Sequence, residues 1–189
     1  MSGGEALTDA FVAFDKIPRL KRLCYITEKI DGTNAQVLVL EDGRVLAGSR
    51  TRWITPEADN FGFAAWVKAH EDELRVGLGV GRHFGEWWGA GIQRRYGLAE
   101  KRFSLFNVSR WSDGVARPEC CGVVPLLYAG EFSTDAVAAA LHSLEVDGSR
   151  AAPGFMQPEG IVVYHTASGG FSKVTLENDG QPKGKAGAL

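Results

Sequence analysis

One short segment of the sequence combines residue types that could carry out covalent chemistry. Glu28-Lys29-Ile30-Asp31-Gly32-Thr33-Asn34 sets a lysine before a glycine turn and follows the turn with polar residues. A lysine is a nucleophile only as the neutral amine, a form that an apolar setting or neighbouring cations favour. The largely apolar run before Lys29 offers such a setting. Taken alone, K-x-D-G also fits a surface lysine beside a turn, and both interpretations are open at this point.

The chemistry-bearing motifs of several large enzyme classes are missing. Gly77-x-Gly79-x-Gly81 fails the dinucleotide pattern G-x-G-x-x-G because Arg82 follows, and no G-x-x-x-x-G-K-[ST] phosphate loop occurs. G-x-S-x-G is absent, which disfavours the common hydrolase elbow. The segment 83–86 is not the H-x-E of a zinc deaminase, since no P-C-x-x-C follows it. The four histidines show no metal-ligand spacing and are expected to be surface or structural residues.

Further motifs follow the lysine segment in order along the chain. They are Gly48-Ser-Arg50-Thr-Arg52, Phe84-Gly-Glu86-Trp-Trp-Gly-Ala-Gly-Ile-Gln93, Phe103-Ser-Leu-Phe106, Glu159-Gly-Ile-Val-Val and Phe171-Ser-Lys173-Val. Together they resemble the covalent nucleotidyltransferase superfamily of polynucleotide ligases and capping enzymes. The resemblance looks closest to ATP-dependent RNA ligases of the second type, the group that includes RNA-editing ligases, and it covers residues 20–176.

The resemblance implies roles in binding and transferring a nucleotide. Lys29 would attack the α-phosphate of ATP, expel pyrophosphate and hold AMP as a lysyl phosphoramidate. Glu28 would lie at the adenine edge. Arg50 would reach the ribose or the phosphates, where its guanidinium fork matches paired oxygens. Glu86 would accept a hydrogen bond from a ribose hydroxyl, since an ionised carboxylate only accepts.

It also implies roles around the base, the metal and the strand ends. Phe106 would stack on adenine, with Phe103 as the alternative stacker. Glu159 would act through Mg²⁺ or Mn²⁺ near the lysine, and Lys173 would bind the α-phosphate. The remaining matches are Ile30 and Asn34 near the nucleotide, and Gln93, Arg94, Arg95 and Arg52 near nucleic acid, with Arg52 also a second candidate for the Arg50 position.

The last motif departs from the family pattern. The family commonly shows two lysines separated by one residue, whereas Val174 and Thr175 follow Lys173. Either one phosphate contact is missing, or Lys183 or Lys185 replaces it. The departure bears on catalytic efficiency more than on the class of reaction.

The resemblance thus implies an ATP-dependent RNA ligase that transfers AMP from Lys29 to a 5′-phosphate end and seals it to a 3′-hydroxyl. Two alternatives remain open, a minimal ATP-dependent DNA nick ligase and a nucleotide-binding module with weak turnover. A capping guanylyltransferase is less favoured. Residues 1–189 are expected to form a single adenylyltransferase domain without an appended C-terminal domain, because 13 residues follow Leu176. Strand gripping would then fall to a short basic face or to a protein partner.

The elements that must position these residues are mostly strands. Residues 23–31, 35–40 and 45–49 predict an antiparallel meander whose second turn is the Asp-Gly hairpin signal at 42–43. Asp59 or Asn60 is expected to cap a helix with apolar spacing over 63–74, and Ser133 or Thr134 one over 135–144. Further strands are predicted over 83–88, 102–108, 123–132, 160–165 and 171–176. This order indicates an α+β fold of antiparallel sheets with flanking helices, the adenylation domain of polynucleotide ligases.

Composition and charge set outer limits. The 189 residues carry 21 Lys and Arg against 23 Asp and Glu, a net charge of −2, which excludes a histone-like polybasic protein. Charge is nevertheless uneven, with local balances of +4 over 82–110 and over 16–29 and of −5 over 113–160. Such asymmetry is compatible with a basic face for phosphates. No apolar run suits a membrane span, no secretory signal is evident, and three cysteines without C-x-x-C favour a reducing, cytoplasmic location.

Overall fold

The computed structural model describes residues 11, 13–14, 17 and 23–177. Within them the chain forms two β-sheets and three helices. The elements are β1 Leu23–Lys29, β2 Thr33–Val39, β3 Val45–Ser49, β4 Trp53–Ile54, α1 Phe63–Ala69, α2 Glu71–Leu78, β5 Gly81–Gly89, β6 Lys101–Leu105, β7 Cys121–Val123, β8 Leu126–Glu131, α3 Thr134–Asp147, β9 Gly160–His165 and β10 Gly170–Thr175. Lys16, Arg19, Lys21, Arg22, Lys183 and Lys185, which entered the charge and motif arguments, lie outside the described residues.

The two sheets have the strand orders β10-β9-β1-β8 and β4-β3-β2-β5-β6-β7. Neighbouring strands run antiparallel, except that β7 pairs with β6 in parallel. The α+β class is therefore confirmed. The expectation of purely antiparallel sheets is wrong at this one edge, because the connection over residues 106–120 brings the chain back to start β7 beside the start of β6.

The predicted meander is wrong at its first turn. β1 lies between β8 and β9, whereas β2 lies between β3 and β5 in the other sheet. Residues 30–32 therefore cross from one sheet to the other instead of closing a hairpin. Gly32 passes so close to β5 that a Cβ there would contact the carbonyl oxygen of Trp87 and lie 2.7 Å from Cβ of Trp88. The second predicted turn is confirmed, since β2 and β3 pair across Gly43, whose φ is 85°.

The predicted helix caps are confirmed in part. Gly62, in the left-handed conformation, takes the N-cap position of α1 for which Asp59 or Asn60 is predicted, although Asp59 still binds the first turn of the helix. The carboxylate of Asp59 accepts hydrogen bonds from the backbone N–H groups of Ala64 (2.8 Å) and Ala65 (3.0 Å). The helical segment then divides at His70, whose φ of −112° is not helical, so α1 and α2 replace the single predicted helix. α3 begins as predicted, with Oγ of Ser133 accepting from the N–H of Ala136 at 3.0 Å.

The strand expected over 123–132 is also divided. β7 ends at Val123 and β8 begins at Leu126. Pro125 lies between them and lacks the N–H that a sheet ladder needs, which accounts for the break. The predictions over 160–165 and 171–176 are confirmed, the second with a shift of one residue.

Three apolar clusters hold these layers together. The largest packs α1 and α2 against one face of the six-stranded sheet, and a second packs α3 against one face of the four-stranded sheet. The third includes Ile30, Trp88 and Tyr96 and lies where the chain crosses between the sheets. Among the described residues, no helix has both the length and the apolar character needed to cross a bilayer. The three cysteines are free thiols, of which Cys24 and Cys121 are buried.

Candidate active site

Strand β1 presents its last two side chains to opposite faces of the four-stranded sheet. Cys24 and Ile26 pack in the apolar cluster between α3 and the four-stranded sheet, and alternation along the strand turns Glu28 to the same face. Lys29 therefore belongs to the other face, away from α3.

Glu28 is anchored within the protein. Its side chain is only 1% exposed, and its carboxylate accepts hydrogen bonds from Oγ of Ser149 (2.5 Å) and from the backbone N–H groups of Arg150 (2.7 Å) and Ala151 (2.9 Å). Burial raises its pKa, and these three hydrogen bonds oppose the rise. The geometry differs from the expected place at an adenine edge, because both oxygens are already engaged. Glu28 instead ties the end of β1 to the segment after α3.

Lys29 meets the buried carboxylate of Glu159. Its Nζ donates to Oε2 of Glu159 at 2.7 Å, and the two side chains are 21% and 3% exposed. Register explains the contact across 130 residues, because Lys29 pairs with Gly160 at the start of β9. Gly160 has a φ of 149°, and a Cβ there would collide with the carbonyl oxygen of Val174 on β10. A glycine is thus required where Glu159 turns toward the lysine.

A second buried carboxylate, Glu86, reaches the same place from the six-stranded sheet. Its Oε1 accepts from the N–H of Gly32 at 3.0 Å. Burial raises the pKa of Glu86 to about 7; the charge on Lys29 opposes this rise, and the charges on Glu159 and Asp31 add to it. Lys29, Glu86 and Glu159 are called the lysine site below. One amine and two carboxylates from two sheets make a compact charged cluster.

The face of the six-stranded sheet that carries Glu86 bears two rows of side chains. Asn34, Glu86 and Ser104 are paired neighbours on β2, β5 and β6 and form a polar row. In the next row the N–H of Phe106 donates to the carbonyl of Phe84 at 3.0 Å, and the two rings are 37% and 53% exposed. Two exposed phenyl rings beside a polar row suit a base and its ribose.

Sequence reasoning erred on the aromatic residues in two ways. Phe103, the alternative stacker, is fully buried in the core against Phe63 and Trp66. It alternates with Ser104 on β6 and so faces away from Glu86. Phe84 was missed, although its position two residues before Glu86 would have placed both on one face of a strand. Ile30, for which a nucleotide-binding role is predicted, is 4% exposed and packs in the third apolar cluster with Trp88 and Tyr96.

The loop after β5 is fastened to the lysine segment through Asp31. The N–H of Asp31 donates to the hydroxyl of Tyr96 at 2.7 Å, and its carboxylate accepts from Nε of Arg94 at 3.2 Å. Arg94 also donates to the carbonyl of Gln157 and to Glu177. It thus holds elements together, in contrast with the nucleic-acid role assigned to it. Gln93 and Arg95 are exposed on the same loop with positive φ angles of 44° and 60°.

Three of the predicted cations have no protein partner. Among the lysines and arginines that the structure describes, Arg50, Arg95 and Lys173 are those whose side chains make no hydrogen bond or ion pair, and all three residues are exposed. Lys173 pairs through Val162 with Thr27, so it shares the Lys29 face of the four-stranded sheet. Arg50 follows the last residue of β3, at the Asn34 end of β2. Arg52 instead donates to the carbonyl of Ala58 at 3.2 Å.

The donor set at the lysine site fits a hard divalent cation. Glu159 supplies a buried carboxylate directly beside the amine, and oxygen ligands are those that Mg²⁺ and Mn²⁺ prefer. No thiol or imidazole belongs to this site. The residues present therefore agree with the expected metal at Glu159.

Comparisons with known proteins identify the family and the fold. The family described as RNA ligase matches residues 22–175. An apo mutant of Naegleria gruberi RNA ligase superposes with a TM-score of 0.60 at 19% identity, over 82% of this chain and 49% of that chain. A mutant of the same ligase with ATP and Mn gives 0.60 at 20% identity over 82% and 50%, and one with AMP and Mn gives 0.60 at 18% over 82% and 49%. This chain thus spans about half the length of the ligase structures that it matches.

Proposed function

Because the chain belongs to the RNA ligase family, we propose that it is an ATP-dependent RNA ligase that carries AMP on Lys29. Nζ of Lys29 attacks the α-phosphorus of ATP, so that a P–N bond forms, pyrophosphate leaves and the amine loses a proton. An oxygen of an RNA 5′-phosphate then displaces the lysine, which regains a proton, and AMP becomes joined to the strand end. A 3′-hydroxyl finally attacks that 5′-phosphate, and AMP leaves as the phosphodiester forms.

The observation that carries this proposal is the lysine site itself. The Lys29 amine is held 2.7 Å from Glu159 and beside Glu86, with Lys173 on the same sheet face. A lysine fixed between two sheets can present its amine to one phosphorus atom in a constant geometry, which lowers the entropic barrier to attack. A surface lysine beside a turn would lack such supports.

The neighbouring residues divide the work of binding. Ionised Glu86 accepts a hydrogen bond from a ribose hydroxyl, and Phe106 with Phe84 stacks on the adenine. Arg50 and Lys173 contact phosphate oxygens, for which their unpaired positive charges are available. Glu159 would hold Mg²⁺ or Mn²⁺, which supplies charge neutralisation for the phosphates. The Naegleria gruberi ligase structures with ATP and Mn and with AMP and Mn support this choice of nucleotide and metal.

The proposal is tested by following the labelled α-phosphate of ATP. Wild-type protein incubated with this ATP and Mg²⁺ or Mn²⁺ is expected to become labelled, and Lys29→Ala to stay unlabelled. Lys68→Ala is the matched control, because Lys68 is an exposed lysine of α1 paired with Glu71, on the far side of the six-stranded sheet. Equal labelling of Lys29→Ala and wild type would show that another residue is the nucleophile.

The strand specificity needs a second experiment. Nicked duplexes of RNA, of DNA and of both, each labelled at the 5′-phosphate of the nick, are expected to be sealed best when the strands at the nick are RNA. Preferential sealing of nicked DNA would favour the minimal DNA ligase, and labelled protein without sealing would favour a module with weak turnover. The finer assignment to RNA ligases of the second type rests on the segments 28–34 and 85–93 and stays a prediction, as does a strand-gripping partner.

A further inference from the structure

Three side chains with metal-binding atoms meet far from the lysine site. A ring nitrogen of His70, a carboxylate oxygen of Glu73 and Sγ of Cys120 all lie within 4.8 Å of one another. His70 lies between α1 and α2, Glu73 lies in the first turn of α2, and Cys120 immediately precedes β7. Because α1 and α2 pack on the sheet face opposite Glu86, this cluster and the lysine site are separated by the sheet.

Hydrogen bonds around the cluster prepare it for a cation. Nδ1 of His70 lies 2.8 Å from the carbonyl oxygen of Trp66, and since a carbonyl only accepts, Nδ1 must carry the proton. The lone pair is then on Nε2, the tautomer found in histidine ligands whose other nitrogen bonds to a carbonyl. Oε1 of Glu73 accepts from the N–H of Cys120 at 2.9 Å, which holds the helix and the cysteine segment together.

We propose that His70, Glu73 and Cys120 form a binding site for a divalent cation that accepts sulfur, nitrogen and oxygen ligands, a class of cation that Zn²⁺ represents. Ligand bonds of about 2.0–2.3 Å in a tetrahedron place the ligand atoms roughly 3.3–3.8 Å apart. Side-chain movements of about 1 Å would bring the three ligand atoms from their present separation to that spacing. Mg²⁺ and Mn²⁺ prefer oxygen ligands, so the thiol sets this site apart from Glu159. The three residues are half-buried, and an open cavity of about 350 Å³ borders His70 and Glu73, so solvent water is available as a fourth ligand.

Such a cation would act as a structural link. Cys120 leads into β7, the outermost strand of its sheet, and the metal would join this edge to the start of α2. A ligand that binds only the folded state raises stability by mass action. At free Zn²⁺ about a hundredfold above Kd, the melting temperature of the reduced, metal-free chain is expected to rise by about 5 °C or more.

The test is a titration of the reduced, metal-free full chain with Co²⁺ and then Zn²⁺. One equivalent of Co²⁺ is expected to produce a thiolate-to-cobalt charge-transfer band that Zn²⁺ abolishes by displacement. Cys120→Ser should lose the band, and Glu73→Gln and His70→Gln should each weaken binding at least tenfold. Glu71→Gln is the matched control, since it removes a carboxylate from the cavity but none of the three ligands.

Several results would overturn the site. They are the absence of the band in wild type, its persistence in Cys120→Ser, an equal loss in Glu71→Gln and Glu73→Gln, and no rise in melting temperature with Zn²⁺. Persistence in Cys120→Ser would assign the sulfur ligand to another cysteine, such as Cys121, whose Sγ is 3.9 Å from that of Cys120. Labelling of Lys29 by ATP does not depend on this site, so the two proposals fail separately.

Discussion

At the scale of single residues, burial controls the charge of Glu86. Its carboxylate lies between two sheets, where loss of hydration outweighs the attraction of Lys29 and brings the pKa to about 7. Near neutral pH both the ionised carboxylate and the protonated carboxyl of Glu86 are therefore populated. Only the ionised form is a pure acceptor for a ribose hydroxyl.

This raised pKa predicts a pH-dependent stability. Between about pH 4.5 and 7 the folded state binds more protons at Glu86 than the unfolded state, so the free energy of unfolding falls as pH rises through this window. Glu86→Gln should remove this fall and be more stable than wild type at pH 7.5, by about 2–3 kcal/mol, and close to it at pH 4.5. Urea unfolding at both pH values measures the effect, with exposed Glu41→Gln as control. Parallel pH profiles of Glu86→Gln and wild type would contradict it.

The two exposed rings beside Glu86 give a second residue-scale prediction. If Phe106 and Phe84 form one stacking platform, each alanine substitution should raise the Kd for ATP, by about tenfold, because stacking on one aromatic contributes ~1–3 kcal/mol. Isothermal titration with ATP provides the measurement. Phe132→Ala, at a similarly exposed phenylalanine after β8, should leave Kd unchanged. An effect of Phe106→Ala without one of Phe84→Ala would restrict stacking to Phe106.

At the scale of elements, the crossover from β1 to β2 joins the two halves of the lysine site. Residues 30–32 connect the sheets, and Asp31 fastens the loop after β5 through Tyr96 and Arg94. Within residues 30–32, the backbone N–H of Gly32 donates a hydrogen bond to the carboxylate of Glu86. The backbone here thus positions Lys29 and Glu86 relative to one another.

Gly32→Ala tests this passage. A Cβ would contact the backbone oxygen of Trp87 and Cβ of Trp88, neither of which is the end of a flexible side chain. We expect a loss of about 1–3 kcal/mol in unfolding free energy and a larger loss in labelling of Lys29 than stability alone explains. Gly170→Ala is the control, since its nearest atom is the rotatable Oγ of Ser168 at 3.1 Å. Wild-type stability in Gly32→Ala would refute the close approach.

Local sequence patterns predicted the positions of helices, strands and turns better than they predicted which strands pair with one another. The Asp-Gly turn, the Ser133 cap and the strand over 160–165 depend on neighbours in sequence, and all three are confirmed. The pairing of β1 with β8 and β9 depends on residues 99 to 141 positions away, so the local pattern around Gly32 predicts a hairpin turn that does not form. The proximity of Lys29 and Glu159 was predictable from the resemblance of the ordered motifs to a known family, and not from the periodicity of the sequence.

At the scale of the whole molecule, the charge balance of residues 82–110 overstates how many of their side chains are free to bind phosphate. Residues 82–110 have a balance of +4, yet within this range Arg95 is the one cation whose side chain makes no hydrogen bond or ion pair in the structure. The others are engaged by protein groups, such as Arg110 by the carbonyl of Leu78 and Lys101 by that of Phe61. RNA binding through residues 82–110 should therefore depend on salt less steeply than the balance of +4 suggests.

This difference can be measured as a slope. For single strands log K falls with log salt by about 0.7 per neutralised phosphate, so each cation that contacts an RNA phosphate adds about −0.7 to the slope. Arg95→Ala should reduce the slope by about 0.7, whereas Lys68→Ala, on the far side of the sheet, should leave it unchanged. Fluorescence anisotropy with a 5′-phosphorylated single-stranded RNA across salt concentrations provides the measurement. Equal slopes for wild type and Arg95→Ala would remove Arg95 from the RNA contact.

The alternation of Glu28 and Lys29 on β1 restricts how the gene can change in length. Inserting one codon between Thr27 and Glu28 would exchange the faces of Glu28 and Lys29 relative to the preceding part of β1, turning the lysine toward the α3 core and the glutamate toward the opposite face. The same event in the loop over 40–44 would leave both side chains where they are.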